Sequence, residues 1–245
     1  MNFGDSKTSR GVTERDFQVT GHEGNVPGVL WTPENRSEPT PLVLIGHGGG
    51  GHKRDDHLVG LARRFVRHHG IAAATIDGPF HGDRASVEVK RESVTKTLRR
   101  LNAEGIAEKM VEDWKATLDA LQKLPEIGMN RVGYWGLSMG TMYGLPLVAA
   151  EPRIEAAVLG LMGPLPGDDR LLIDAPDVTC PVLFLQQWDD ELIPREKSSE
   201  LFGAIGSHDK RLHANPGRHP AVPRDEFLET QKFLAQHLLP TSESL

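Results

Sequence analysis

The chain has a single cysteine, Cys180, in 245 residues and so cannot form an internal disulfide. A small, disulfide-stapled secreted scaffold is thereby excluded. No apolar run reaches the length of a membrane span. Residues 1–10 are polar and lack the apolar centre of an export signal, so they read as a flexible tail. No stretch concentrates Lys and Arg strongly enough to suggest a phosphate-backbone footprint, and the net charge is -6 with a pI near 6.0. A nucleic-acid partner would need the opposite balance. There is no internal repeat and no low-complexity linker. These absences together predict a cytoplasmic protein that meets neither nucleic acid nor membrane. They imply nothing about its oligomeric state.

What is present is globular in character: 38% apolar and 25% charged residues. A length of 245 residues suits one α/β domain spanning 1–245. Residues 16–20 and 28–31 read as two early antiparallel strands. Residues 42–45 (Leu-Val-Leu-Ile) and 71–76 read as strands covered on both faces. Between them, Leu58, Leu61, Ala62, Phe65 and Val66 keep helical spacing up to Gly70. Residues 87–124 are mostly helical in pattern, with Gly105 dividing them. Ile106, Met110, Trp114, Leu118 and Leu121 form one stripe in the second part. Strands follow at 131–135, 154–161, 181–185 and 210–213, with helices at 141–150, 195–205 and 224–239. This alternation predicts a mostly parallel central sheet with helices on both faces and little or no cap domain. Ligands meet such sheets at the carboxyl ends of the strands.

Gly136-Leu137-Ser138-Met139-Gly140 lies between a strand and a helix. That is the G-x-S-x-G pattern of a nucleophile elbow, which pushes a serine hydroxyl out of a sharp turn. Chance would supply roughly 0.1 such motifs in this composition, so the context decides. A serine nucleophile needs a base and a group that orients the base. Asp190 lies in the loop after the strand at 181–185, with Asp189 its competitor. His219 follows in Gly217-Arg218-His219. The order Ser, Asp, His is the one this elbow type uses.

The run His47-Gly48-Gly49-Gly50-Gly51 leaves backbone N–H groups accessible to a developing oxyanion. Gly49 and Met139 are the expected donors, with Gly50 the alternative to Gly49. The run lacks the Lys-Ser/Thr ending of a P-loop and the dinucleotide spacing. His47, His52 and His57 recur partly across the glycine run, so no helix face gathers them, and no metal site is expected. No cofactor is expected either. Trp188, Met162 and Gly50 are candidate substrate contacts. His81 and Arg84 are placed to brace the loop after Asp77. Cys180 precedes a buried strand and reads as a small core residue.

Taken together, the glycine run, Asp77-Gly78-Pro79-Phe80-His81-Gly82, the elbow, Asp190-Glu191-Leu192-Ile193-Pro194 and Gly217-Arg218-His219 resemble the α/β-hydrolase superfamily, and within it the dienelactone-hydrolase-like carboxylesterases. The likeness runs over residues 25–239. It implies an α/β-hydrolase fold and a Ser138–His219–Asp190 triad that cleaves a small-molecule ester. Named dienelactone hydrolases carry Cys at the nucleophile; Ser138 here points instead to a serine esterase. Gln187 stands where the acid loop often opens with Gly. Amide, peptide or lactone cleavage on the same triad is the alternative, and a ligand-binding scaffold without catalysis is a third reading. The segment at 161–181 is too short and too broken by proline to fold as a lid. Short acyl chains, of about two to six carbons, are therefore expected as substrates.

Overall fold

A computed structural model describes residues 1–21, 24–35, 38–85 and 105–240. The chain divides into two compact units, Met1–Asn130 and Arg131–Leu245.

The first unit holds strands β1 (Asn2–Ser9), β2 (Val12–Gly21), β3 (Gly24–Pro33), β4 (Thr40–Gly46) and β5 (Ala72–Ile76), in the spatial order β1-β2-β3-β5-β4. The first three and β5 pair antiparallel in turn, while β4 and β5 are parallel. Every residue of β4 and β5 is buried, as their unbroken apolar runs require. Large residues of β4 lie beside small ones of β5: Leu42 pairs with Ala72 and Leu44 with Ala74. Helix α1 (Asp56–Arg64) continues as one wider π-type turn through His69 and stops at Gly70, which is left-handed at φ 64°. Helix α2 (Ile106–Leu121) buries all five residues of the expected stripe. The first part of the helical pattern at 87–124 lies outside the described residues up to position 104.

One expectation is corrected. Residues 2–9 are an edge strand rather than a loose tail. Asn2 pairs with Gln18, Phe3 with Phe17 and Ser9 with Val12. Between Ser9 and Val12, Arg10 (φ 52°) and Gly11 (φ 76°) make a two-residue turn with both φ angles positive, the geometry that matches strand twist. All eight residues of β1 are exposed, so main-chain hydrogen bonds rather than burial hold it. A strand with no buried face carries no hydrophobic alternation, and its sequence looks like a tail.

In the second unit, β6 (Ile127–Gly136, which begins just before the division), β7 (Ile154–Gly160), β8 (Val182–Gln187) and β9 (Lys210–Asn215) run parallel in that order. Helices α3 (Met139–Ala150), α4 (Arg170–Asp174), α5 (Arg195–Ala204) and α6 (Arg224–Leu238) complete it. Helix α3 is buried almost all round, which its apolar composition allows. Leu234 and Leu238 of α6 pack at Gly133 of β6, where a Cβ would come within 2.8 Å of Leu238. The segment after β7 contains only the short α4 and one 3-10 turn. No described helix is long and apolar enough to cross a membrane.

Candidate active site

Ser138 sits at the tip of the turn from β6 into α3, at φ 58° and ψ -120°. That region is costly for a residue with a Cβ and persists only where the surroundings enforce it. Here they do. The Ser138 amide donates to Gly160 O at 2.9 Å. Tyr134 Oη donates to Gly140 O at 2.6 Å. Thr141 Oγ1 accepts from Gly160 N at 2.7 Å and lies within donating distance of the carbonyls of Gly136 and Gly160. A Cβ at Gly136 would stand 2.7 Å from Gly140 O, so the first glycine of the motif is a steric requirement. Tyr134 and Thr141 escape a motif search because neither belongs to the pattern. Their signal is position: Thr141 follows the motif directly, and Tyr134 is two residues before Gly136.

The acid and the base follow β8 and β9. His219 Nε2 lies 2.8 Å from Ser138 Oγ, and His219 Nδ1 lies 2.7 Å from Asp190 Oδ2. A carboxylate only accepts, so Nδ1 carries the proton and Nε2 is left to accept from the serine hydroxyl. Asp190 Oδ1 accepts from the amides of Leu192 and Ile193, both at 2.9 Å. The side chains of Asp190 and His219 are only 3% and 11% exposed. Asp189 does not reach the imidazole; its Oδ2 accepts from Gly217 N at 3.3 Å.

The two loops are laced together by their backbones. Trp188 N donates to Asn215 O at 2.7 Å and Asp189 N to Gly217 O at 3.1 Å. Glu191, which sequence reasoning passed over, accepts the His219 amide at 2.9 Å and pairs with Arg218 at 3.0 Å. The His219 amide is the main reason the Glu191 carboxyl is held below the ordinary carboxylate range. Gln187 Nε2 donates to Arg218 O at 3.3 Å, so the residue standing in place of a glycine ties the histidine loop to β8.

Met139 opens α3, where an N–H has no carbonyl one turn back. Met162 is buried at 2% exposure, and Trp188 is half exposed with the Arg195 guanidinium 4.5 Å over its ring. Burial pushes the Cys180 thiol up to about 12, which makes it inert at neutral pH.

Gly49 and Gly50 belong to the first unit, in the loop after β4. His47 accepts the Gly78 amide on Nε2 and faces Gly48 O with Nδ1, both at 2.9 Å. Burial holds its imidazole down at about 4. His81 lies between Pro79 O at 2.8 Å and Gly49 O at 3.2 Å. Arg84 donates to Asp77 O at 3.1 Å and to Asp113 Oδ2 at 2.6 Å. Both therefore brace their loops, as expected. Asp77, fully buried, accepts from Lys53 N at 2.8 Å, Lys53 Nζ at 2.6 Å and Asp83 N at 2.9 Å. Among the described residues, no three His, Cys, Asp or Glu side chains converge as a metal site would require.

A parallel sheet flanked by helices, with an elbow serine after one strand and its hydrogen-bonded partners after two others, defines an α/β-hydrolase. Over residues 26–215 the chain matches the model of the dienelactone hydrolase family, and it belongs to that family. Its solved relatives include a novel cold-adapted esterase from an Arctic intertidal metagenomic library, in a PEG-bound complex. That protein is 40% identical, with a TM-score of 0.87, over 98% of this chain and all of the other. An acetyl xylan esterase from Paenibacillus sp. R4 (17% identity, TM-score 0.76, 97% of this chain and 88% of that one) shares the fold. So does a putative dienelactone hydrolase from Klebsiella pneumoniae subsp. pneumoniae MGH 78578 (18%, TM-score 0.75, 94% and 99%). A search among curated proteins gives no significant match.

Proposed function

We propose that this carboxylic ester hydrolase cleaves short, soluble esters through an acyl-enzyme on Ser138. The observation that carries the reading is the hydrogen-bonded chain from Ser138 Oγ through His219 to Asp190. Ser138 Oγ attacks the ester carbonyl as its proton passes to His219 Nε2. The imidazolium returns that proton to the leaving alkoxide. Asp190 holds the tautomer and stabilises the charged ring. Water, activated by the same imidazole, then releases the acid. The Met139 amide is one oxyanion donor, and Gly49 is the sequence-based candidate for the second, with Gly50 its alternative. The chemistry is complete without a metal or cofactor. A cytoplasmic location suits the single cysteine.

Short acyl groups are favoured because the segment after β7 supplies no separate cap in which a long chain could bury apolar area. Lactones are cyclic esters open to the same attack. The test is kcat/KM over p-nitrophenyl acetate, butyrate, octanoate and palmitate, with a matched amide and a lactone beside them. The expected optimum is an acyl chain of about two to six carbons, with no rate jump on emulsification. A palmitate optimum overturns the short-chain assignment, and faster cleavage of the amide overturns the esterase assignment.

A further inference from the structure

The first unit contains a cavity of about 840 Å³. Its walls come from β1, β2 and β3, the glycine loop Gly49–Gly51 with Lys53 and Arg54, and the loop around Phe80. The volume lies within the range of small-molecule sites.

Three aromatic rings face it: Phe3 and Phe17, directly paired across β1 and β2, and Phe80. Phe80 is held at φ 64°, a conformation that bulky residues avoid unless their surroundings impose it. Gly50 has open space where a Cβ would stand, so bare backbone lines that wall.

The two cations on the wall are each held by two carboxylates. Lys53 lies between Asp77 and Asp83, at 2.6 Å from each. Arg54 is paired with Glu14 at 2.5 Å and Asp16 at 2.6 Å. A cation committed to two carboxylates offers little to an anionic ligand. The wall therefore disfavours an anion and offers aromatic contact, through offset or edge-to-face packing on phenylalanine rings.

We infer that this cavity binds a ring-bearing small molecule without negative charge, with β1 forming part of its wall. The inference rests in part on the proposed function, through Gly49, the sequence-based candidate oxyanion donor in the same wall, and an ester carrying a ring is the probe.

The experiment compares benzyl acetate with ethyl acetate, which share an acyl group, in wild type, Phe80→Ala and Phe3→Ser. Binding of benzyl alcohol to the Ser138→Ala protein is followed by thermal shift. The expected wild-type preference for benzyl acetate in kcat/KM is about tenfold. Each phenylalanine substitution should shrink it at least about threefold while ethyl acetate turnover stays within about twofold. Phe3→Ser alters an exposed edge position, so it keeps the test valid if Phe80→Ala does not fold. Benzyl alcohol should raise the Tm of Ser138→Ala, and adding Phe80→Ala should remove the effect. No ring preference together with no Tm shift overturns the cavity proposal and leaves the triad reading intact. Full turnover by Ser138→Ala overturns the triad reading, while a Tm shift that depends on Phe80 would still uphold the cavity.

Discussion

Asp77 and Asp190 are buried carboxylates that follow strand ends, one in each unit, and their partners set them to different tasks. Asp77 accepts from Lys53 Nζ and from the amides of Lys53 and Asp83. Asp190 accepts from His219 Nδ1 and from the amides of Leu192 and Ile193. The donor count is alike; the chemistry is not. Lys53 is a fixed cation whose pKa is raised, against the opposing effect of burial, by its bonds to Asp77 and Asp83. It holds its protons and fastens two loops. His219 has a second nitrogen, and that nitrogen faces a serine hydroxyl. A buried carboxylate beside an ammonium is a clamp. Beside an imidazole whose other nitrogen faces a serine, it is placed to orient a base, the role proposed for it.

The comparison breaks most visibly at the nucleophile. Ser138→Ala should lower kcat by about three to six orders of magnitude in a protein that still unfolds cooperatively, since oxyanion donors and binding alone retain some rate. Near wild-type turnover would remove the second unit's claim to catalysis. Asp190→Asn should cost about two to four orders of magnitude in kcat, because an amide no longer fixes the tautomer. Asp189→Asn should change kcat by less than about tenfold, since the amide oxygen can still accept from Gly217 N. The reverse ranking would move the orienting role to Asp189.

In the first unit the readout is stability. Lys53→Met leaves Asp77 buried without its cation and should cost about 3–5 kcal/mol in urea unfolding. A loss below about 1 kcal/mol would mean that the pair is not a clamp. His47 gives the pH counterpart. Burial lowers its folded value from 6.5 to about 4, so the unfolded chain binds the extra proton between those limits. Its contribution is present above pH 6.5 and is lost as pH falls toward 4, to a total of about 3 kcal/mol. His47→Gln should flatten that part of the stability profile. An unchanged slope would show that His47 is protonated in the fold. The smallest effect concerns Cys180: a small thiol reagent at pH 7 should leave ester turnover unaltered, because the thiol is raised to about 12.

How far these roles can be read in the sequence depends on how local their constraints are. The elbow is legible because strand, turn and helix are contiguous, and Gly136 cannot carry a side chain without striking Gly140 O. Asp190 and His219 are legible because their chain order and loop positions are fixed by the parallel topology. Choosing Asp190 over Asp189 required coordinates, since adjacent side chains diverge in a loop. The Lys53–Asp77 pair left no trace, its members being distant in sequence and each ordinary in its setting. β1 left none either, because an exposed edge strand needs no apolar period. Phe80 shows why a bulky residue in a left-handed turn is not anticipated: the expected residue there is glycine.

The central claim is that Ser138 is the reacting group. Treatment with a fluorophosphonate, followed by mass spectrometry of the digested protein, tests it directly. The account predicts one adduct per chain on the peptide containing Ser138, loss of ester hydrolysis in proportion to labelling, and no adduct in Ser138→Ala. Full labelling elsewhere, or undiminished hydrolysis by protein labelled at Ser138, would contradict it.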